Sequence, residues 1–350
     1  MRARFSRGLL LSLFVAACGG RVDGETDTTS APNEPAPAAN DIPSPSEQAG
    51  PERMAEGVGT PSALVLAGDR VVFTTRATVL GGQTLDVGGL FIVDKKTGRP
   101  LMLLVDRRGA SYDALALTGS DAVVAASDGR IVRMPVSGGE ETLVATLEAR
   151  PVALATSGDR VFVATETGAV GRVAADGTFE TLASLDDAAR GIVADDKAIY
   201  VATENASGGA ITRVPLDGSS SSVLAPAAGV RALIRDDKHL FWTAAAPNGD
   251  GSVMRASLAD GKVETIASGA FFACALALDD SALYFATATP SGERVRSSAV
   301  GVGLMRAPIS GGNPVPVPYA TRPLTLPNTV AVDAAHVYWL TESAVLRLKK

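Results

Sequence analysis

The chain is 350 residues long, 46% apolar, 20% charged and 5% aromatic, with a formal net charge of −6. That apolar share suffices for a sizeable core and excludes a disordered chain, and the acidic balance offers no basic footprint for nucleic acid. Two cysteines and two histidines exclude a disulfide scaffold and a cysteine-built zinc site, and leave little for histidine-based catalysis.

Arg2, Arg4 and Arg7 form a positive N-terminal stretch without an acidic residue, and the short apolar run Leu9–Ala17 follows. A membrane-spanning helix needs roughly 20 apolar residues, so this run reads as a secretory signal over residues 1–17. Its end, Val15-Ala16-Ala17-Cys18-Gly19, resembles the lipobox of bacterial lipoproteins. The resemblance implies cleavage before Cys18 and palmitate-type acylation of its thiol, with two or more chains giving a stable membrane anchor. In the Gram-negative pattern an Asp after the Cys favours inner-membrane retention, so Gly19 implies the outer membrane, on either face. Residues 18–51 are rich in Pro, Ala, Ser, Thr and acidic side chains. They bury too little to offset ordering entropy, and read as a disordered tether.

From residue 52 onward one unit repeats seven times. Its second run appears as RVVFTT, AVVAAS, RVFVAT, AIYVAT, HLFWTA, ALYFAT and HVYWLT, centred on Val72, Val124, Phe162, Tyr200, Phe241, Tyr284 and Tyr338. A unit of about 40 residues with four short β-type runs is the signature of a propeller blade, so an all-β, seven-bladed β-propeller is expected over residues 52–350. Asp residues stand between the first and second runs, and Asp-Gly or Gly-Gly pairs follow the third, as hairpin turns require. The last copy stops at Lys350 after its third run. The stretch Glu52–Val58 precedes the first copy, where a fourth run would stand, and is expected to close blade seven as a strand-exchange clasp.

The third run carries one Arg per copy: Arg133, Arg172, Arg213, Arg255, Arg306 and Arg347, with Ile92 in the first copy. A residue fixed by repeat position is architectural, and each Arg is expected to meet a carboxylate or carbonyl between blades. His239 and His336 share one repeat position and are read the same way. Cys274 falls on an inner strand and reads as a buried apolar thiol. Asn248-Gly249-Asp250-Gly251-Ser252 lacks the spacing of a calcium loop and reads as a turn. No catalytic motif, metal site or cofactor site is recognised.

Phe241-Trp242-Thr243, Tyr338-Trp339 and Ile211-Thr212-Arg213-Val214-Pro215-Leu216-Asp217-Gly218 resemble the YWTD repeats of lipoprotein-receptor propellers. They are also similar to the repeats of bacterial propeller lipoproteins. YWTD propellers have six blades, whereas seven copies are present here, so a receptor role does not carry over. The functional expectation is a lipid-anchored cell-envelope module that binds or scaffolds an envelope protein. It rests on long excursions after the second run (Thr74–Gly89, Asn205–Ala210, Pro247–Ser252 and Thr289–Gly303), which would all emerge on one face of the ring. The alternatives are a lactonase-like metal-dependent hydrolase, an outer-membrane assembly scaffold, and a receptor for a small ligand or glycan.

Overall fold

Alternating apolar runs separated by turn residues can bury both faces only by stacking sheets, and the chain does this seven times. A computed structural model describes residues 50–350 except 58, 81–82, 87, 107–108, 206–207, 246–250, 269–272, 290–300, 318–328 and 342–343. The expected signal, Cys18 and the tether as far as residue 49 lie outside the described residues.

Seven four-stranded antiparallel sheets form a seven-bladed β-propeller. Blade 1 comprises Thr60–Ala67, Arg70–Arg76, Gly89–Asp94 and Pro100–Val105, and blade 2 Tyr112–Thr118, Asp121–Ala126, Arg130–Pro135 and Thr142–Thr146. Blade 3 is Pro151–Ser157, Arg160–Thr165, Ala169–Val173 and Phe179–Ser184. Blade 4 is Ala188–Ala194, Ala198–Asn205, Gly208–Pro215 and Ser222–Pro226. Blade 5 is Val230–Arg235, His239–Ala245, Gly251–Ser257 and Val263–Ser268, and blade 6 Leu276–Leu278, Ala282–Thr289, Gly301–Pro308 and Val315–Pro316. Blade 7 takes Val330–Val332, His336–Leu340 and Ala344–Lys349 from the C-terminus and Glu52–Glu56 from the N-terminal end of the propeller. First strands line the central channel, and the largely exposed fourth strands form the rim.

The core is a ring of seven clusters, each shared between neighbouring blades. One joins Tyr284 and Leu304 of blade 6 to Val337 and Trp339 of blade 7. Another joins Met54, Tyr338 and Val345 of blade 7 to Leu64, Val71 and Phe73 of blade 1. No blade has a core of its own, so the ring gains its full burial only when closed.

The closing strand is a fourth strand moved to the other end of the sequence. Glu52-Arg53-Met54-Ala55-Glu56 occupies the register held by Glu180-Thr181-Leu182-Ala183-Ser184 in blade 3 and Glu264-Thr265-Ile266-Ala267-Ser268 in blade 5. Each has a bulge at its third residue, which points inward. Met54 is 3% exposed and Ile266 3%. Glu52 lies opposite Arg347 as Glu180 lies opposite Arg172 and Glu264 opposite Arg255, and each pair is an ion pair. The clasp therefore copies the repeat's charge pairing as well as its apolar pattern.

The turns between first and second strands follow two designs. In blades 4 to 7 an aspartate side chain builds the turn: Asp195, Asp236, Asp279 and Asp333 each accept two backbone N–H bonds through one oxygen. In blades 1 to 3 the turn has only two residues, and Gly68, Gly119 or Gly158 takes a positive φ at its first position. The expected aspartate turn thus applies to four blades. In the other three, Asp69 and Asp159 follow the glycine and Asp121 opens the second strand. Pro135, Pro215 and Pro308 end third strands, where their missing N–H is tolerated.

Candidate functional site

The two faces of the ring differ. On one, short turns join first to second and third to fourth strands. On the other, second-to-third hairpins extend in blades 1, 4, 5 and 6. Blade 1 inserts a hairpin of Thr78–Leu80 and Gln83–Asp86. The ladders of blades 4 to 6 run out to Asn205↔Gly208, Ala245↔Gly251 and Thr289↔Gly301. Parts of these excursions, including Asn248 to Asp250, lie outside the described residues.

The repeat arginines lie toward the short-turn face. Arg255 Nη1 donates 2.9 Å to the Ile309 carbonyl of blade 6, and Arg347 Nη1 donates to the Lys95 carbonyl of blade 1. Both acceptors lie three residues beyond the third-strand repeat position of the next blade. Blade 1 has Ile92 there, and Arg70, on its second strand, donates to the equivalent Val136 carbonyl of blade 2. Arg172 pairs with Glu180. Arg306 sits 5.9 Å from the Tyr284 ring centre and reaches Ser281. Arg213 lies between Tyr200 and Ser222. Arg133 lies between Val123 and Thr142, and its Nε is buried without a hydrogen-bond partner among the described residues.

Two lysines add to this closure. Lys95 reaches 2.8 Å back to Asp333, and Lys350 reaches Asp279 of blade 6. Burial opposes ionisation of both carboxyls, but the ammonium groups and the turn N–H groups outweigh it and hold them well below the ordinary carboxylate range. Burial and then Asp333 push the Tyr338 hydroxyl upward. His239 and His336 start their second strands, tilted against Phe241 and Tyr338, beside Asp236 and Asp333. Cys274 is 9% exposed, just ahead of the first strand of blade 6. Among the described residues no group of three or more His, Cys, Asp or Glu could hold a metal ion.

The long-loop face has a charged channel mouth. In blades 2 to 5 the first strand skips one residue against the second: Asp113, Val152, Arg190 and Arg231. A bulge re-aims its side chain, and here the skipped residue is charged in three of the four blades, near the long-loop end of the first strands. Arg76 Nε donates 2.8 Å to Asp113, and Arg150, just ahead of the first strand of blade 3, donates to the other oxygen. Arg190 is 3.0 Å from Glu204, and Arg231 is exposed. The signal was present in the sequence as charges in SYDALAL, AARGIVA and VRALIR. It emerges only when the registers of the first strands are set side by side, because single charges of mixed sign form no repeating column as the third-strand arginines do.

A cavity of about 410 Å³ opens between blades 1 and 2, lined by Leu103, Val105, Asp106, Tyr112, Arg130 and Met134 among others. Asp106 is buried against Arg130, and burial with the Asp106 charge pushes the Tyr112 hydroxyl up to about 12.

No protein-family profile matches the chain, and no curated protein matches it in sequence. Among solved structures it is similar to a chain of the mitotic checkpoint complex, at 13% identity and a TM-score of 0.63, covering 92% of this chain and 98% of that one. It is similar to YCF48 bound to D1 peptide at 10% identity and TM-score 0.62, covering 86% and 96%. The WD40 β-propeller domain of Doa1 gives 10%, 0.60, 86% and 97%. These likenesses are of fold: the chain is a seven-bladed β-propeller.

Proposed function

We propose that this chain is a lipid-anchored module of the cell envelope, bound to the outer membrane, whose long-loop face docks a protein partner. The observation that carries the reading is the asymmetry of the ring. Four blades extend their hairpins on one face, around a charged channel mouth, while the other face is held to short turns and inter-blade bonds. Extended loops on a rigid scaffold are where recognition collects. Propellers of like fold include YCF48, solved with D1 peptide, and a member of the mitotic checkpoint complex. The tether would enter at Glu52, which faces Arg347 near the short-turn end of blade 7. A tether attached there enters at the opposite end of the blade from the long-loop face and so leaves that face free of the chain leading to the anchor.

The test is in-cell crosslinking of the tagged full-length chain, followed by mass spectrometry. A near-stoichiometric envelope protein crosslinked to the long-loop hairpins is expected, and crosslinks confined to the short-turn face would refute the docking assignment. Cys18→Ser should release the protein from the membrane fraction; unchanged pelleting would refute the anchor. The cavity between blades 1 and 2 favours a second reading, a small-ligand receptor, since its volume falls within the range of about 300–1,000 Å³ typical of ligand sites. A metabolite screen by thermal shift tests it, and a ligand whose effect is lost in Met134→Trp would favour it.

A further inference from the structure

We propose that the channel mouth on the long-loop face binds a carboxylate-rich, acidic protein segment, with Arg231, Arg190 and Arg150 as its guanidinium contacts. This rests on the docking reading above and names the chemistry of the partner.

The three arginines come from consecutive blades. Arg190 and Arg231 occupy the same bulged position of neighbouring first strands. Those strands touch there: a Cβ on Gly191 would lie 3.7 Å from the Leu233 Cβ. Arg150 stands at the start of the first strand of blade 3, whose Ala153 and Ala155 share a core with Ala189 and Ile192 of blade 4. The mouth therefore carries guanidinium groups from three consecutive blades, with the carboxylates of Asp113 and Glu204 set among them.

These guanidinium groups are only partly answered from within. Arg76 and Arg150 share the single carboxylate of Asp113, and Arg150 Nε is buried without a partner among the described residues. Arg190 pairs with Glu204, but its side chain remains 43% exposed. Arg231 is exposed and has no partner among the described residues. Asp113 and Glu204 already show the geometry in which this rim grips carboxylates. Guanidinium groups present paired donors that match a carboxylate and are weakly hydrated, so they favour that ligand at an interface. Spacing across separate blades requires carboxylates presented along a chain, which favours an acidic peptide segment over a single small acid.

The experiment titrates the full chain, in mild detergent, into a fluorescein-labelled peptide of alternating Glu and Ala and reads anisotropy. The Lys-Ala counterpart is the control. The acidic peptide should bind and the basic one should not. Binding should weaken as salt shortens the screening length to about 8 Å at physiological strength. Arg190→Gln with Arg231→Gln should weaken it at least about tenfold, as loss of charge-assisted hydrogen bonds requires. Both side chains are exposed, so the melting curve should not move and misfolding is separately read. Failure of the acidic peptide to bind, or unchanged binding by the double variant, would overturn the proposal. So would equally effective competition by free glutamate, which would identify a small-acid site. Crosslinking is read in parallel: a partner captured by a chain that ignores the acidic peptide overturns this inference and leaves the docking reading standing.

Discussion

Met54→Ala isolates the clasp from every other part of the ring. Met54 is 3% exposed at the inward bulge of Glu52–Glu56, in a cluster with Tyr338, Val345 and Phe73. Truncating a buried Met of this kind costs about 2–5 kcal/mol, through lost transfer energy and the cavity left behind. Unfolding entropy of about 2.1 cal/mol/K per residue gives roughly 0.6 kcal/mol/K for a domain of about 300 residues, so the melt should fall by about 3–8 °C. Met54→Leu keeps the volume and should cost less than about 1.5 kcal/mol. The assay is calorimetric melting of both variants beside wild type, with size-exclusion chromatography. Once the clasp loosens, the edge of Ala344–Lys349 is open to pairing with another copy, so the alanine variant should also populate dimers. An alanine variant melting with wild type and remaining monomeric would refute the claim that this strand holds the ring shut.

The acid limb of stability should report the lysine bonds. Asp279 and Asp333 have folded pKa values below their unfolded values, so their contribution is complete above about pH 4, the unfolded carboxylate value, and is lost as pH falls toward the folded values. Lys95→Met with Lys350→Met should flatten urea stability across that acid range, and an unchanged pH profile would refute the assignment. Arg70→Met should cost about 1–2 kcal/mol by removing the bond to the Val136 carbonyl, and about 2–3 °C in the melt; no shift would mean that blades 1 and 2 do not rely on it. Gly168→Ala should be worse than most surface changes. Gly168 has φ of +84°, and an added Cβ would lie 2.1 Å from the Leu185 carbonyl oxygen. A cost of at least about 2 kcal/mol is expected in denaturant unfolding, and a neutral result would contradict the close crossing at that turn.

The architecture was legible because a propeller repeats its instructions. The seven second-strand runs set the blade count, six third-strand arginines marked all copies but the first, and the truncated last copy pointed to the stretch Glu52–Val58, of which Glu52–Glu56 forms the missing strand. What the alternation of residue types could not give was geometry across blades. The Arg347 bond to Lys95 spans a sequence separation of 252, and Arg70 serving where Ile92 breaks the column has no local signature. The channel mouth was hidden for the same reason. A charge at a bulge looks like an interruption of a strand until the register shows that its side chain turns toward the rim. The uniform aspartate turn was an over-generalisation, because Gly68, Gly119 and Gly158 make the same connection with backbone alone.

The clasp joins residues 295 apart, Glu52 and Arg347, within a single sheet. That one pairing decides when the protein can finish folding. Early blades can form as local hairpins while the chain is still being made, but each lacks half of its shared core. The N-terminal strand must wait, unpaired, until the last hairpin arrives. Through that interval Glu52–Glu56 is a strand without a sheet, with Met54 and Ala55 not yet buried, and its own Glu52, Arg53 and Glu56 keep it in solution. Closure then couples the two ends mechanically: a pull on the chain ahead of Glu52 is borne by the ladder to Ala344–Lys349, and unzipping that ladder opens the whole ring.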